Sequence, residues 1–148
     1  MKRIKETTLP QVATIERAKK GKRYPGRETL IELSGTKGAA RFHSSEGEVS
    51  TRYAVITSKK EILPEYLFLV IERGLPKFVH KYLTTINLQI DTLNNFEIEY
   101  HESVEEQRKI VEMQRKVQEA IEAEEREIEK LKAIKSFYMK NLFVEERK

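Results

Sequence analysis

The sequence predicts an α+β protein in which a compact mixed domain is followed by one long C-terminal coiled-coil helix. Residues 103–148 contain no Pro or Gly and are rich in Glu, Lys, Gln and Ile, which favours one uninterrupted helix. The residues before them combine short β-type runs with Gly, Pro, Ser and Asn punctuation, and include one dense apolar run. These two patterns meet without a flexible linker between them.

The charge of the chain is unevenly distributed. Its 148 residues carry a net charge of +4, but residues 1–60 hold 14 Lys or Arg against 6 acidic residues. Residues 61–102 hold 3 against 7, and residues 103–148 hold 11 of each sign. A basic front part with interspersed Tyr, Phe, Ser and Thr is typical of a surface that follows nucleic-acid phosphates. A solvated basic face without a ligand is the alternative.

The composition also excludes several classes of protein. The chain has no Cys, so disulfides and thiolate metal sites are excluded. No apolar run approaches the roughly 18 residues of a membrane span, and the first residues are not followed by an apolar signal core. We therefore expect a soluble, cytoplasmic protein with no membrane association.

The first part of the compact domain is expected to contain strands. Residues 1–8 are expected to form an arm. Alternating and β-branched residues predict strands, and Gly, Pro and Ser predict the turns between them. The expected order is a short strand or turn at 9–15, a basic loop at 19–26, strands at 29–33, 39–43 and 49–57, and turns at 34–38 and 44–47. In the last of these strands, Tyr53, Val55 and Thr57 should share one face.

The second part of the compact domain is expected to contain helices and one strand. Residues 63–74 begin with a Pro and end with a Gly around a dense apolar centre, which predicts a buried helix. A second short helix is expected at 75–82 and a polar turn at 84–88. Residues 95–100 alternate as a half-buried strand.

The long helix has a well-defined start and an apolar stripe. Ser103 can cap the free N–H groups, and Glu106 can reach back in a capping box. At about 1.5 Å per residue, roughly 35 residues from Val104 to Tyr138 give a rod about 50 Å long. Glu124 falls at a stripe position and Lys135 lies beside Ile134, so the stripe has a polar interruption near its middle. Its apolar residues recur at coiled-coil spacing and require a partner helix: Ile110, Met113, Val117, Ile121, Ile128, Leu131, Ile134, Tyr138 and Leu142. A frayed surface helix with many i,i+4 charge pairs is the alternative.

The sequence contains no recognisable catalytic centre, and we expect no metal or cofactor. Residues 35–38 do not have the spacing of a phosphate-binding P-loop, and the three His lie 37 and 21 residues apart, unlike metal ligands. The remaining candidates are basic, aromatic and hydroxyl residues on Gly-containing loops and strand ends, which can contact phosphates or base edges. The expected DNA-binding residues are Lys20, Lys22, Arg23, Tyr24, Ser34, Thr36, Lys37, Arg41, His43, Arg52 and Tyr53. Simple exposed loops are the alternative.

Several short motifs, in this order, resemble the specificity (S) subunit of type I restriction-modification systems. The resemblance covers nearly the whole chain. It rests on Leu9-Pro10-Gln11-Val12-Ala13-Thr14-Ile15, residues 34–38, Tyr53-Ala54-Val55-Ile56, Pro64-Glu65-Tyr66-Leu67-Phe68, Thr84-Thr85-Ile86-Asn87, Glu106-Gln107-Arg108-Lys109-Ile110 and Ile128-Glu129-Lys130-Leu131-Lys132. The Pro usual before the Glu-Gln pair is absent. Full-length members carry two recognition domains and two spacer helices, whereas this sequence carries one of each.

The resemblance implies a half-length subunit with a DNA target recognition domain at 1–102 and a spacer and dimerisation helix at 103–148. It implies a non-catalytic protein that reads one half of a bipartite site in double-stranded DNA. The implied partners are adenine-methyltransferase (modification) subunits, a restriction and translocase subunit, and a second copy of the chain bound through the C-terminal helix. Antiparallel helices would then act as a ruler between two readers.

Two other functions are compatible with the sequence. One is a dimeric coiled-coil protein that binds nucleic acid without sequence preference, as a regulator or decoy. The other is an enzyme of unrecognised type. Sequence-dependent DNA binding in the presence of an adenine methyltransferase would separate the specificity subunit from the regulator.

Overall fold

The computed structural model describes residues 3–34, 39–82 and 88–146, with side chains through residue 142. The chain divides into two compact units, Met1–Val111 and Glu112–Lys148. Its strands are β1 (Ile4–Thr8), β2 (Ala13–Arg17), β3 (Arg23–Tyr24), β4 (Glu28–Glu32), β5 (Ala40–His43), β6 (Gly47–Glu48), β7 (Tyr53–Ser58) and β8 (Glu97–His101). Its helices are α1 (Leu9–Val12), α2 (Pro64–Tyr82) and α3 (Val104–Glu146), with a 3-10 helix at Ile90–Asn95. The predicted α+β class with a long C-terminal helix is confirmed.

The centre of the first unit is a four-stranded antiparallel sheet in the order β2-β7-β4-β5. Two small antiparallel ribbons accompany it, β1 with β8 and β3 with β6. Helix α2 covers one face of the sheet, where fully buried Ile31, Ile56 and Ile71 belong to one apolar cluster. Burying a side chain of this size stabilises the fold by about 1.5–3 kcal/mol. The strands predicted at 29–33 and 39–43 are confirmed within one residue at each end.

The prediction of two helices at 63–74 and 75–82 was wrong, because α2 continues through both. Gly74 does not end the helix. A Cβ atom there would lie 3.3 Å from Cε1 of the Phe96 ring, so glycine allows this buried ring to approach the helix. Pro76 has no N–H to donate to the C=O of Glu72, four residues earlier in the helix. Both residues are exposed to solvent.

Residues 1–8 were wrongly expected to form an arm, since residues 4–8 pair as β1 with all of β8. The segment Ile-Lys-Glu-Thr-Thr has one apolar residue, so its backbone pairing leaves no periodic signal in the sequence. Strand β7 also starts later than predicted, because Tyr53 N–H donates to Ser50 O in a turn. The strand predicted at 95–100 is confirmed as β8, with Ile98 and Tyr100 buried. The expected turns at 35–38 and 84–87 lie outside the described residues.

The start of α3 agrees with the predicted cap. Glu106 N–H donates to Ser103 Oγ at 3.3 Å, and the helix then runs for 43 residues from Val104. Its first two turns belong to the first compact unit, where Ile110 and Val111 pack against the core. The predicted domain boundary between residues 102 and 103 stays a prediction.

Candidate nucleic-acid interface

The sheet presents a second face, opposite α2, on which several of the predicted DNA-binding residues lie. Residues paired across antiparallel strands share a face. The register pairs Arg41 with Leu30 and Leu30 with Val55, and it pairs His43 with Glu28. Tyr53 lies two residues from Val55 on β7, so Arg41, His43 and Tyr53 occupy the same side. We call this side the outer face. The prediction that Tyr53, Val55 and Thr57 share a face is confirmed.

A small apolar cluster on the outer face supports the basic loop. Tyr24, Leu30 and Val55 are buried together with Ala18 and Val49, and Tyr53 packs against them. The Tyr24 hydroxyl accepts a hydrogen bond from Lys19 N–H at 3.2 Å. Tyr24 is only 3% exposed, so it holds the loop in place and does not present a free ring to a ligand. This cluster fixes where the loop's cations lie.

The cations of the basic loop differ in their local partners. Lys22 Nζ lies 2.8 Å from Glu16, and Arg23 forms a bidentate pair with Glu46 at 2.5 and 2.9 Å. The hydrogen bond from Lys22 lowers the pKa of Glu16, and that from Arg23 lowers the pKa of Glu46, so both carboxylates remain ionised. Lys20 is exposed and takes part in no ion pair among the described residues.

Further cations lie on the sheet and at one of its ends. Arg41 is exposed and also has no ion-pair partner within the described part of the chain. Arg52 lies in the turn just before β7, where its guanidinium is 4.0 Å from the Glu32 carboxylate. Ser34 follows β4 at the same end of the sheet and lines a small pocket with Arg17 and Leu88. Thr36 and Lys37 lie outside the described residues.

His43, another predicted contact on the sheet, is largely shielded from solvent. Its side chain is 14% exposed, and its Nε2 atom lies 3.9 Å from the carboxylate of buried Glu28. Glu28 accepts two hydrogen bonds from Gly26 N–H, both at 3.1 Å. This arrangement connects the end of β5 to the loop before β4, so His43 contributes to the shape of the outer face.

The sequence interpretation missed Arg27, which fastens this loop to α2. Arg27 has a φ of 72°, the left-handed conformation that L-residues seldom adopt. Its guanidinium forms a bidentate pair with Glu65 in the first turn of α2, with both contacts at 2.8 Å. Hydrogen bonding to Arg27 lowers the pKa of Glu65. The signal in the sequence was only the preceding Pro-Gly turn, which does not specify a partner 38 residues away.

Gln107 joins three segments where α3 begins. Its side chain is fully buried, and its Oε1 accepts from Leu63 N–H at 2.9 Å. Its Nε2 donates to Glu61 O at 3.1 Å and to His101 O at 2.7 Å. Nearby, the Tyr66 hydroxyl accepts from His101 N–H at 2.8 Å, and burial raises the pKa of Tyr66. The Glu106-Gln107 motif and Tyr66, from the motif at residues 64–68, therefore meet at one junction.

The second unit carries the predicted apolar stripe in exposed form. Its Val117 and Ile121 side chains are 47% and 44% exposed, and Ile128 is 50% exposed. Large apolar side chains that recur along one side of an exposed helix are typical of a surface that contacts a partner. The exposed large apolar residues of the second unit are Met113, Val117, Ile121, Ile128, Leu131, Ile134, Phe137, Tyr138, Met139 and Leu142. Ile110 instead packs against the core of the first unit.

The described residues include neither a membrane-spanning helix nor a metal-binding cluster. No helix is both long and apolar enough to cross a membrane. No group of three or more His or acidic side chains in that part of the chain could hold a metal ion.

Comparisons with known proteins agree on one family. The family described as "Type I restriction modification DNA specificity domain" matches residues 3–133. A type I restriction-modification S subunit from M. genitalium is 12% identical with a TM-score of 0.66, over 82% of this chain and 40% of that one. The HsdS subunit from Thermoanaerobacter tengcongensis is 14% identical with a TM-score of 0.59, over 81% and 38%.

A third similar chain comes from a structure of complex assembly and conformational transition of the type I R-M system. It is 15% identical with a TM-score of 0.63, over 81% of this chain and 39% of that one. At these identities the likeness concerns the fold. The chain spans about two fifths of the length of these solved chains. Comparison with curated proteins gave no match.

Proposed function

This chain belongs to the type I restriction modification DNA specificity family, and from that premise we propose that it is a non-catalytic subunit reading one half of a bipartite DNA site. The main supporting observation is the outer face. Arg41 and Tyr53 lie there beside a buttressed basic loop that carries Lys20. A fixed array of cations next to hydrogen-bonding side chains is suited to hold a duplex and contact its bases.

The loop and the sheet have different proposed tasks. Lys20, Lys22 and Arg23 contact phosphates, and Lys22 and Arg23 exchange their carboxylate partners for phosphate oxygens. Specificity comes from Arg41, Arg52 and Tyr53, whose side chains can reach base edges. Ser34, Thr36, Lys37 and His43 complete the proposed surface. Tyr24 serves beneath it as the support of the loop.

The family also suggests the partners. We propose that this chain docks adenine-methyltransferase subunits, to which a restriction and translocase subunit is added, and that it supplies the DNA recognition. The exposed stripe of the second unit binds a second copy of the chain. Two identical readers related by a two-fold axis would select a palindromic site split by a spacer.

Salt-dependent DNA binding tests the proposed interface. We expect the affinity for duplex DNA to fall steeply with salt, with a slope of about −0.9 per phosphate contacted. The triple variant Lys20→Gln, Lys22→Gln and Arg23→Gln should reduce the magnitude of that slope by about one to three units. It should lower the affinity for duplexes of every sequence by about the same factor. A reduction near three units would mean that Lys22 and Arg23 exchange their carboxylate partners for phosphates when DNA binds.

The matched control removes the same charge from α3. Lys116, Lys130 and Lys140 are exposed and lie off the apolar stripe, so their change to Gln should leave the slope within about half a unit of wild type. An unaltered slope in the basic-loop variant would exclude the loop as part of the interface. Equal affinity for every duplex, with a cognate methyltransferase subunit present, would instead favour a regulator without sequence preference.

A further inference from the structure

The polar interruptions of the apolar stripe are arranged symmetrically along the second unit. Glu124 and Lys135 occupy stripe positions, and both are exposed. The described ion pairs along α3 use other residues, such as Arg115 with Glu119 at 2.6 Å. Glu124 and Lys135 therefore have no ion-pair partner within the described part of their own chain.

Two copies of the helix can be placed side by side and antiparallel, related by a two-fold axis that crosses them between residues 129 and 130. In this arrangement the stripe is complementary to itself. Residues equally far from that crossing point then face each other. Six apolar stripe residues between positions 117 and 142 then face one another, and each acidic interruption faces a basic one, whereas Met113 and Ile134 lie level with Glu146 and Glu125. The facing residues are Ile128 with Leu131, Glu124 with Lys135, Ile121 with Tyr138, and Val117 with Leu142.

The positions beside the stripe agree with the same register. Glu125 and Lys132 flank the stripe on one side, and in this arrangement they lie within about 3 Å of the same level along the axis. Opposite charges at flanking positions are a common means of choosing partner and orientation in coiled coils. Each dimer would contain two such flanking pairs, related by the axis.

Other arrangements of the two helices lose these pairings. A parallel, in-register dimer places Glu124 against Glu124 and Lys135 against Lys135. Shifting the antiparallel helices by one heptad places Glu124 against Ile128 in one direction or Leu142 in the other. At the flanking positions, the first of these shifts brings Glu125 level with Glu125 of the second copy. The other shift brings Lys132 level with Lys132 of the second copy. A charged residue facing an apolar one in a helix interface costs stability, because its hydration is lost without a compensating partner.

We propose that Glu124 and Lys135 form two intermolecular polar layers that fix the orientation and register of an antiparallel homodimer. This inference rests on the proposed pairing of two copies and defines the partner of the exposed stripe. A single polar position in a helix seam is known to set register at some cost in stability. In this register the two Glu112 positions lie about 52 Å apart along the axis, at about 1.5 Å per residue.

Charge exchange tests the polar layers. Glu124→Lys or Lys135→Glu alone places like charges in both layers, and should weaken dimerisation at least about tenfold in sedimentation equilibrium. The double variant Glu124→Lys with Lys135→Glu restores opposite charges and should dimerise nearly as well as wild type. Glu122→Lys and Lys130→Glu, alone and together, are the matched controls on the outward side of the helix. Single variants that dimerise like wild type, or a double variant without recovery, would overturn the proposal.

Thiol crosslinking tests the register independently. The chain has no Cys, so introduced thiols react only with one another. Residues 117 and 142 lie about 37 Å apart on one helix, too far for a disulfide, whose Cα atoms are usually within about 7 Å. An oxidised mixture of Val117→Cys and Leu142→Cys chains should give a covalent dimer, whereas Val117→Cys alone should stay uncrosslinked.

Failure of the proposed register can be distinguished from failure of the proposed dimer. Crosslinking of Val117→Cys to itself would show a parallel dimer, and crosslinking to Lys135→Cys would show a register shifted by one heptad. Either result refutes the register but leaves the pairing of two copies intact. A monomeric wild type would refute both the register and the pairing. DNA binding by the basic loop is measured separately and does not depend on these outcomes.

Discussion

Replacing Gln107 with Leu should destabilise the first unit strongly, because this buried side chain makes three hydrogen bonds to other segments. Leu has a similar volume but cannot accept from Leu63 N–H or donate to the carbonyl oxygens of Glu61 and His101. A typical hydrogen bond contributes about 1 kcal/mol net, and an unsatisfied buried group costs about 1–3 kcal/mol. Water can reach the exposed Glu61. We therefore expect a loss of about 3 kcal/mol.

For a domain of this size, that loss corresponds to a decrease in Tm of roughly 10–20 °C. Thermal and urea unfolding followed by circular dichroism would measure it. Gln118→Leu is the matched control, since Gln118 bonds only to Glu122 on the exposed surface and should change stability by less than about 0.5 kcal/mol. A Gln107→Leu protein as stable as the control would refute the view that this residue holds the start of α3 to the first unit.

Three other predictions concern the interface, its support and the dimer. Alanine at Arg41, Arg52 or Tyr53 should reduce preference at one half-site position by roughly ten- to a hundredfold, measured by competition between duplexes, while non-specific affinity changes little. Arg27→Gln should destabilise the protein at pH 7 but much less near pH 3. Because folding lowers the pKa of Glu65, its pairing with Arg27 stabilises the fold at pH values above the usual carboxylate pKa, and this stabilisation is lost as the pH falls. Urea unfolding that shows equal destabilisation at pH 7 and pH 3 would contradict this. Asp at both Ile121 and Ile128 should give monomers by light scattering at micromolar concentration, whereas a dimeric double variant would place the contact elsewhere.

The sequence predicted best those features that arise from local chemistry. Ser103 caps α3 because its hydroxyl needs only a backbone N–H three residues away. The alternation of Ile98 and Tyr100 likewise reports one buried side of β8. In the outer face, the period of two placed Tyr53 and Val55 on the same side before the structure located that side.

The features that were missed depend on contacts between distant residues. Gly74 has the composition of a helix end, but its role is to admit the Phe96 ring, which lies far along the chain. The pairing of β1 with β8 uses backbone groups that leave no trace in a polar segment. In the sequence, Arg27 is only one of several basic residues. Its structural role became visible in its hydrogen bond to Glu65. Tyr24 was grouped with DNA contacts because burial cannot be inferred from an isolated aromatic residue beside a Pro.

In the proposed function, two copies of the chain read the halves of a split site at a spacing set by α3. Mapping of methylated adenines, with a cognate modification subunit, tests this proposal most directly when wild type is compared with a chain in which residues 125–131 are duplicated. The duplication keeps Glu124 opposite Lys135 and adds about 10.5 Å between the two first units of a dimer. We expect unchanged half-sites separated by about three more base pairs, at about 3.4 Å each. An unchanged spacer would contradict this expectation and leave α3 as a dimerisation helix alone.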